Sequence, residues 1–172
     1  KKHIEENSIL NRLIENNNIE LVANSNGINI SIDKDISINS FEVPHRNELS
    51  ETVAFKIEGL KKSIVYLPDI DSWDDFEDTI NSLIKDNNIL FIDGTFYTKD
   101  EIKNRDVNKI PHPAILDTMN HFSSLSSYNK EKIYFTHFNH TNHILKNDKQ
   151  AYNNVLENGF RIAEEGQIFN IN

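Results

Sequence analysis

Hydrophobic residues in the first third of the chain change from helical to alternating spacing. Over residues 1–16 they recur every three to four positions, which predicts a helix that ends at the asparagine run 16–18. From residue 19 to residue 58 apolar and polar positions alternate, which predicts strands with one buried face. The apolar positions concerned are Ile28, Ile30 and Ile32, then Ile36 and Ile38, then Val53, Phe55 and Ile57. This part of the chain is therefore expected to be mostly β.

The remainder of the chain alternates predicted strands with predicted helices. A tight connection at residues 59–62 leads into the apolar run 63–67, which is typical of a strand covered on both faces. Helices are predicted over 72–85, 113–125 and 148–157, and strands over 89–92, 133–135, 160–163 and 167–171. A β-rich portion followed by alternating helices and strands indicates an α/β (α+β) fold with the helices outside the sheet.

Composition narrows the classes of function. The 172 residues correspond to about one domain, and 27 acidic against 18 basic residues give a net charge of −9, which would repel a nucleic-acid backbone. Cysteine is absent, so any metal must be bound by His, Asp or Glu. No apolar run approaches the ~20 residues that cross a bilayer, and residues 1–16 lack the apolar centre of a signal peptide. We therefore expect a cytoplasmic protein with neither nucleic acid nor membrane as partner.

Polar clusters directly follow four of the apolar segments. These four clusters contain His45, Asp69, Asp93 and His137, and a fifth cluster with His112 precedes a predicted helix. Polar residues at the carboxyl ends of strands often face a ligand crevice. Imidazole and carboxylate groups at several strand ends are what a divalent metal site with general acid–base support requires.

Each of these residues also has a structural explanation when it is taken alone. A strand-end His or Asp can form a turn or a cap, as Asp93 can before the following glycine and His112 can at a helix start. Three histidines in one short segment, His137, His140 and His143, are harder to explain by packing. Because the strand before them ends at residue 136, we expect only one of the three to face a metal.

The order and spacing of the clusters resemble the second half of the metallo-β-lactamase fold. The resemblance is to the branch that contains ribonuclease Z and the pyrroloquinoline quinone biosynthesis protein B family. It is carried by the segments FEVPHRNELSETVAFKIE, VYLPDID, ILFIDGTFY, IPHPAI and IYFTHFNHTNHIL. The resemblance implies that His45, Asp69 and His137 are metal ligands, with Asp69 bridging two ions. It also implies that Asp93 and His112 form a proton-handling pair.

The family's leading His-x-His-x-x-His cluster does not occur in the sequence. Residues 1–172 are therefore expected to form one partial metallo-β-lactamase-like domain, the C-terminal part of an αββα sandwich without its N-terminal half. We expect the missing cluster upstream of Lys1. A half-sandwich would leave an apolar sheet face exposed, so we expect the isolated chain to bind metal weakly and to be poorly soluble.

Two positions depart from the quinone-biosynthesis proteins within this branch. Asp69 suits the broader hydrolase branch better, and His143 stands where those proteins usually have proline. The chain is therefore interpreted as a relative of these proteins, and membership of their pathway is not assumed.

The resemblance implies a metal-dependent hydrolase with two divalent ions, zinc first, with iron or manganese as alternatives. Metal-activated water would attack a small phosphoester or carbonyl substrate. Ribonuclease Z activity is disfavoured by the net charge of −9 and by the short turn at 59–62, where those enzymes insert a long tRNA-gripping arm. Two alternatives stay open: a metal-dependent oxygenase in quinone-cofactor biosynthesis and a non-catalytic binding fragment. A homo-oligomer is compatible with the sequence, which does not determine the oligomeric state.

Overall fold

Seven strands form one mixed sheet in which the spatial order of the strands follows the chain. The computed structural model describes residues 6–22, 29–46, 48, 50–102, 111–146 and 148–172. The strands are β1 Asn29–Ser31, β2 Ser37–Val43, β3 Thr52–Glu58, β4 Ser63–Leu67, β5 Ile89–Asp93, β6 Ile133–Thr136 and β7 Arg161–Ile162. Strands β1 to β4 pair antiparallel, and β4 to β7 pair parallel. The predicted α/β fold class is confirmed.

The helices lie before the sheet and in the connections between the parallel strands. Within the described ranges they are α1 Ser8–Glu15, α2 Glu77–Asp86, α3 Ile115–His121, α4 Ser127–Lys130 and α5 Lys149–Glu157. The first five residues of the helix predicted over 1–16, and residue 28 of the first predicted strand, lie outside the described residues.

Two predicted helices differ from the observed ones at their ends. The helix predicted from residue 72 begins with a 3-10 turn at Asp74–Phe76 before α2. The helix predicted over 113–125 is observed as α3 but ends earlier, at His121, and a separate short helix, α4, follows beyond the predicted range. The serine-rich segment between them explains the break, since the side chain of Ser126 accepts a hydrogen bond from the Asn129 amide and caps α4.

One face of the sheet packs against the helices and forms the core. Alternate residues of a strand point to the same face. On the central strands the fully buried hydrophobic residues are Val65, Leu67, Leu90, Ile92, Ile133 and Phe135. They share one hydrophobic cluster with Ile80 and Ile84 of α2, Ile115 and Met119 of α3, and Ala151 and Val155 of α5. Each fully buried aliphatic side chain of this kind contributes about 1.5–3 kcal/mol, so the cluster fixes the sheet under its helices.

The opposite face of the sheet carries large side chains that are only partly covered. The strand register aligns Phe55 with Tyr66, Tyr66 with Phe91, and Phe91 with Tyr134. Phe55 and Tyr66 are 39% and 40% exposed, so the prediction that β4 is covered on both faces is wrong for the described residues. Phe169 covers part of this face, with its ring edge-on to those of Phe91 and Tyr134.

The C-terminal segment at 167–171 was predicted as a strand, and this prediction is wrong. The segment is not paired as a strand with any described part of the sheet. The Ile171 carbonyl instead accepts hydrogen bonds from the amides of Lys61 and Lys62 in the β3–β4 turn. Gly59 makes this close approach feasible, because a Cβ atom there would collide with the Ile171 carbonyl oxygen.

None of the helices in the described ranges combines the length and the apolar character that a membrane span requires.

Candidate metal centre

Four of the candidate residues lie at the ends of strands, or just after them, at the same edge of the sheet. Asp69 comes two residues after β4, Asp93 is the last residue of β5, and His137 directly follows β6. His45 comes two residues after β2, which runs in the same direction as β4 because β3 is antiparallel to both. The topology therefore assembles residues that are distant in sequence.

Asp69 lies between two of the candidate histidines. Its Oδ1 atom is 3.8 Å from Nε2 of His45 and 3.6 Å from Nδ1 of His137. The His112 ring stands nearby, with its centroid 4.9 Å from that of His45 and 5.9 Å from that of His137. The structure thus brings the three histidines and Asp69 to one location.

Asp93 lies beneath this group and is fully buried. Its Oδ1 atom accepts hydrogen bonds from the Thr95 backbone amide at 2.9 Å and from the Thr95 hydroxyl at 2.7 Å. Its Oδ2 atom accepts from the Ile70 amide at 3.2 Å and lies 2.6 Å from Nδ1 of His112. Both carboxylate oxygens are therefore held by donors, which offsets the cost of burying a polar group.

The protonated form of His112 is favoured by its surroundings. Burial of the ring lowers its pKa, but the hydrogen bond and the charge of Asp93 act in the opposite direction. The charges of Asp69 and Asp71 act in the same direction as Asp93, so the pKa of His112 is raised above its ordinary value of 6.5.

Three residues at this edge have a left-handed backbone. The φ angles are 50° at Arg46, 94° at His112 and 61° at His137. A residue other than glycine in this region carries a strain of about 1–3 kcal/mol and persists where its surroundings hold it. The strained residues are thus two candidate site residues, His112 and His137, and Arg46, which directly follows the candidate His45.

The donor set fits a divalent metal ion. Ligand atoms lie within 4.8 Å of one another in two compact groups, one of His45, Asp69 and His112 and one of Asp93, His112 and His137. Imidazole and carboxylate donors suit zinc and similar divalent ions. The ligand set His45, Asp69 and His137 does not itself form one compact group within the described ranges. His112, which was predicted as a proton-handling residue, belongs to both groups, so these distances are compatible with a ligand role as well.

Two polar residues beside the group were not singled out in the sequence. Asp71 places Oδ1 3.0 Å from Nδ1 of His45 and accepts a hydrogen bond from the Arg46 amide. The Thr95 hydroxyl lies 3.0 Å from Nδ1 of His137. Asp71 belongs to the motif VYLPDID and Thr95 to the motif ILFIDGTFY. Neither was predicted as a site residue, because a second acid beside Asp69 and a threonine in a turn are common without a function.

The other two histidines of the 137–143 segment lie apart from the compact groups among the described residues. His143 stacks on Tyr97 with ring centroids 5.9 Å apart, and its Nδ1 atom is 3.4 Å from Asp148. His140 is exposed. The expectation that one histidine of the three faces a metal stays a prediction.

A protein-family model described as the beta-lactamase superfamily domain matches residues 1–138. The chain belongs to this superfamily. This match and the mixed seven-stranded sheet confirm the predicted metallo-β-lactamase-like fold.

Known members of the superfamily are similar to this chain over part of their length. Coenzyme PQQ synthesis protein B from Acinetobacter baumannii (strain SDF) is 28% identical over 132 residues, which cover 72% of this chain and 43% of that protein. The chain thus spans less than half the length of the curated relatives it matches.

Solved structures of the superfamily show the same fold. The zinc-bound PqqB from Methylobacterium extorquens aligns with a TM-score of 0.66 and 20% identity, covering 84% of this chain and 53% of that chain. A diphosphatase of the PhnP family aligns with a TM-score of 0.55 and 17% identity, covering 92% of this chain and 53% of that chain. The predicted resemblance to the quinone-biosynthesis protein B branch is confirmed, and hydrolases occur among the structural neighbours.

Proposed function

We propose that the protein containing this chain is a metal-dependent hydrolase that acts on a small phosphoester or carbonyl substrate. The observation that carries the proposal is the joint placement of the Asp93–His112 pair, 2.6 Å apart, and the group around Asp69. A buried acid–imidazole pair beside a set of metal donors is the arrangement that hydrolysis by activated water requires.

His45, Asp69 and His137 are the residues that we assign to metal binding. The position of Asp69 between the two histidines supports its assignment as a residue that would hold metal with them. A bound divalent ion lowers the pKa of its water ligand to near neutrality and thereby supplies a nucleophilic hydroxide. Zinc is our first choice, because the similar PqqB structure from Methylobacterium extorquens is described as zinc-bound. Iron and manganese are the alternatives.

Three ligands are too few for the two ions that we propose. A catalytic zinc ion takes about three protein ligands and keeps one open position for water. We therefore propose that residues 1–172 are part of a larger domain, whose remaining ligands lie outside this sequence. The partly covered face with Phe55 and Tyr66 supports the proposal, since a second sheet of a sandwich would cover it. The natural gene should encode a His-x-His-x-x-His cluster upstream of Lys1, and a gene product that begins at Lys1 would overturn this proposal.

His112 is assigned to proton delivery. Because Nδ1 faces the Asp93 carboxylate, Nε2 is the ring nitrogen that can protonate a leaving group. Asp93 holds the ring in this orientation and stabilises its protonated form. The net charge of −9 disfavours a polyanionic substrate and supports a small molecule.

A second candidate function is a metal-dependent oxygenase in quinone-cofactor biosynthesis. The observation that favours it is the 28% identity to coenzyme PQQ synthesis protein B. Its chemistry would require iron and molecular oxygen, whereas the hydrolase requires neither. Oxygen-dependent turnover therefore separates the two candidates.

The test uses the natural gene product that contains this chain. Its metal is removed with a chelator, and zinc, manganese or iron is added back before hydrolysis of bis(p-nitrophenyl) phosphate and p-nitrophenyl acetate is measured under air and under nitrogen. We expect hydrolysis that is lost with the metal, is restored by its return and is independent of oxygen. Absence of hydrolysis with every metal, together with oxygen consumption by the iron form, would favour the oxygenase. Absence of any metal binding would support a non-catalytic module.

A further inference from the structure

We propose that Thr95 is a positioning residue that fixes the ring of His137 with its proton on Nδ1. Through this hydroxyl the buried Asp93 would act on His137 as well as on His112. The inference rests on the proposed function in so far as it treats His137 as a metal ligand. The proton position that it assigns can be measured before any metal is added.

The Thr95 hydroxyl is buried among three polar groups. It lies 2.7 Å from Oδ1 of Asp93, 3.0 Å from Nδ1 of His137 and 3.3 Å from Nδ1 of His112. The Thr95 residue is only 7% exposed, so water has little access to these contacts. The hydroxyl is thus the shared link between the acid and the two rings.

The direction of the hydrogen bonds follows from counting protons. The hydroxyl has one proton, and it donates this proton to Asp93 in its shortest contact. Its oxygen can then only accept from His137, so Nδ1 of His137 must carry a proton. Nε2 of His137 is left with its lone pair, which is the form that binds a metal.

The backbone around Thr95 holds the hydroxyl in place. The Thr95 carbonyl accepts hydrogen bonds from the Asn139 amide and from the side chain of the fully buried Asn142. Asn142 also donates to the Gly94 carbonyl at 2.8 Å. A Cβ atom at Gly94 would lie 2.8 Å from the Thr136 carbonyl oxygen, so the two strand ends approach closely. These contacts set the distance between the hydroxyl and the ring that follows Thr136.

The two oxygens of Asp93 are therefore divided between two histidines. Oδ2 contacts His112 directly, and Oδ1 reaches His137 through the Thr95 hydroxyl. Threonine supplies what this arrangement needs, because one hydroxyl donates to the acid and accepts from the ring at the same time.

The test compares Thr95→Val and Thr95→Ser in the natural gene product. Valine keeps the shape of threonine without the hydroxyl, and serine keeps the hydroxyl. Thr118→Val is the matched control, because Thr118 is also buried and valine there removes the hydroxyl that accepts a hydrogen bond from the Trp73 indole at 2.9 Å. If Thr95→Val changes the His137 tautomer or the zinc affinity and Thr118→Val does not, the cause is the loss of the hydroxyl at residue 95 and not a general loss of stability.

The first readout is the tautomer of His137 in the metal-free protein, read from the ¹⁵N shifts of labelled histidine rings and assigned with His137→Gln. We expect the Nδ1-protonated neutral form in the wild type, in Thr95→Ser and in Thr118→Val, and loss of that preference in Thr95→Val. An Nε2-protonated ring in the wild type would overturn the proposal, even if Thr95→Val does not fold. An unchanged tautomer in a folded Thr95→Val protein would also overturn it.

The second readout is the affinity for zinc in a competition titration. Loss of a residue that orients a ligand histidine typically weakens metal binding by about 10–100-fold, so we expect this loss in Thr95→Val and near-normal affinity in Thr95→Ser. If the wild type binds neither zinc, manganese nor iron, the proposed function fails, while the tautomer measurement still decides the role of Thr95. If zinc binds and Thr95→Val binds it equally well, the role of Thr95 is overturned and the proposed function stands.

Discussion

The Nδ1 atom of His112 lies 2.6 Å from Oδ2 of Asp93, whose side chain has no exposed surface. The His112 ring is itself mostly buried, with 15% of its side chain exposed. This contact orients the ring, so that Nε2 is directed away from the acid and is available to a bound molecule. The proposed division between residues that bind metal and residues that move protons depends on this contact.

Replacing His112 by alanine in the natural gene product is expected to lower turnover by about 10²–10⁴-fold, the range that a general acid or base contributes. The metal content should stay the same, because His112 is assigned to proton delivery and not to metal binding. Metal analysis and kinetics on the same preparation check both statements.

The same variant should recover part of its activity with substrates whose leaving groups need no proton. A nitrophenolate leaving group is stable as an anion, whereas an alkoxide is not, so the ratio of wild-type to variant rates should be smaller for nitrophenyl esters. Loss of metal from His112→Ala would contradict the assignment. It would instead make His112 a ligand, in keeping with its place in both compact donor groups.

Asp71 is expected to support metal binding through His45. Its carboxylate lies 3.0 Å from Nδ1 of His45, and its charge favours a proton on that nitrogen, which leaves the lone pair on Nε2, the atom 3.8 Å from Oδ1 of Asp69. Asp71→Ala should therefore weaken zinc affinity by about 10–100-fold in a competition titration. Asp75→Ala is the control, because Asp75 is an exposed acid a few residues along the same segment. Equal zinc affinity of the two variants would argue against this role for Asp71.

Asp148 should make the stability of the protein depend on pH in the acidic range. Its carboxylate caps α5, and hydrogen bonds from the Ala151 and Gln150 amides, together with His143, lower its pKa below 3.8. Because the folded-state pKa is the lower one, the stabilisation is present above the unfolded-state pKa and is lost as pH falls through the folded-state value.

The melting temperatures of wild type and Asp148→Ala should therefore differ near neutral pH and converge at strongly acidic pH. Asp148→Asn should behave more like the wild type near neutrality, since asparagine also caps helices. A difference between wild type and Asp148→Ala that stays constant down to acidic pH would contradict this account.

The parts of the fold that could be predicted from the sequence are those that local pattern determines. The run Ser63–Leu67 was predicted with its observed bounds, because a central strand with a buried face needs continuous apolar residues. The segment 167–171 could not be predicted correctly, since its path depends on hydrogen bonds to Lys61 and Lys62, about a hundred residues earlier in the chain. Exposure of Tyr66 was missed because a strand pattern does not reveal whether the second face has a partner.

The sequence predicts those residues of the candidate site that are His or Asp and lie beside the ends of predicted strands or helices. His45, Asp69, Asp93, His112 and His137 were found in this way, and the structure brings them to one edge of the sheet. Thr95 and Asp71 were missed, because threonine and aspartate are ordinary residues in turns. Their contacts with histidines 42 and 26 positions away along the chain exist only in the folded protein.

The central claim is that His137 binds metal at this edge of the sheet. The most direct test is the metal content of His137→Ala, measured by elemental analysis after purification of the natural gene product beside His140→Ala. His140 is a matched control, because it is an exposed histidine three residues away and lies outside both donor groups among the described residues. The account predicts that His137→Ala loses bound metal and that His140→Ala retains the wild-type amount. Full metal content in His137→Ala, or equal loss in both variants, would contradict it.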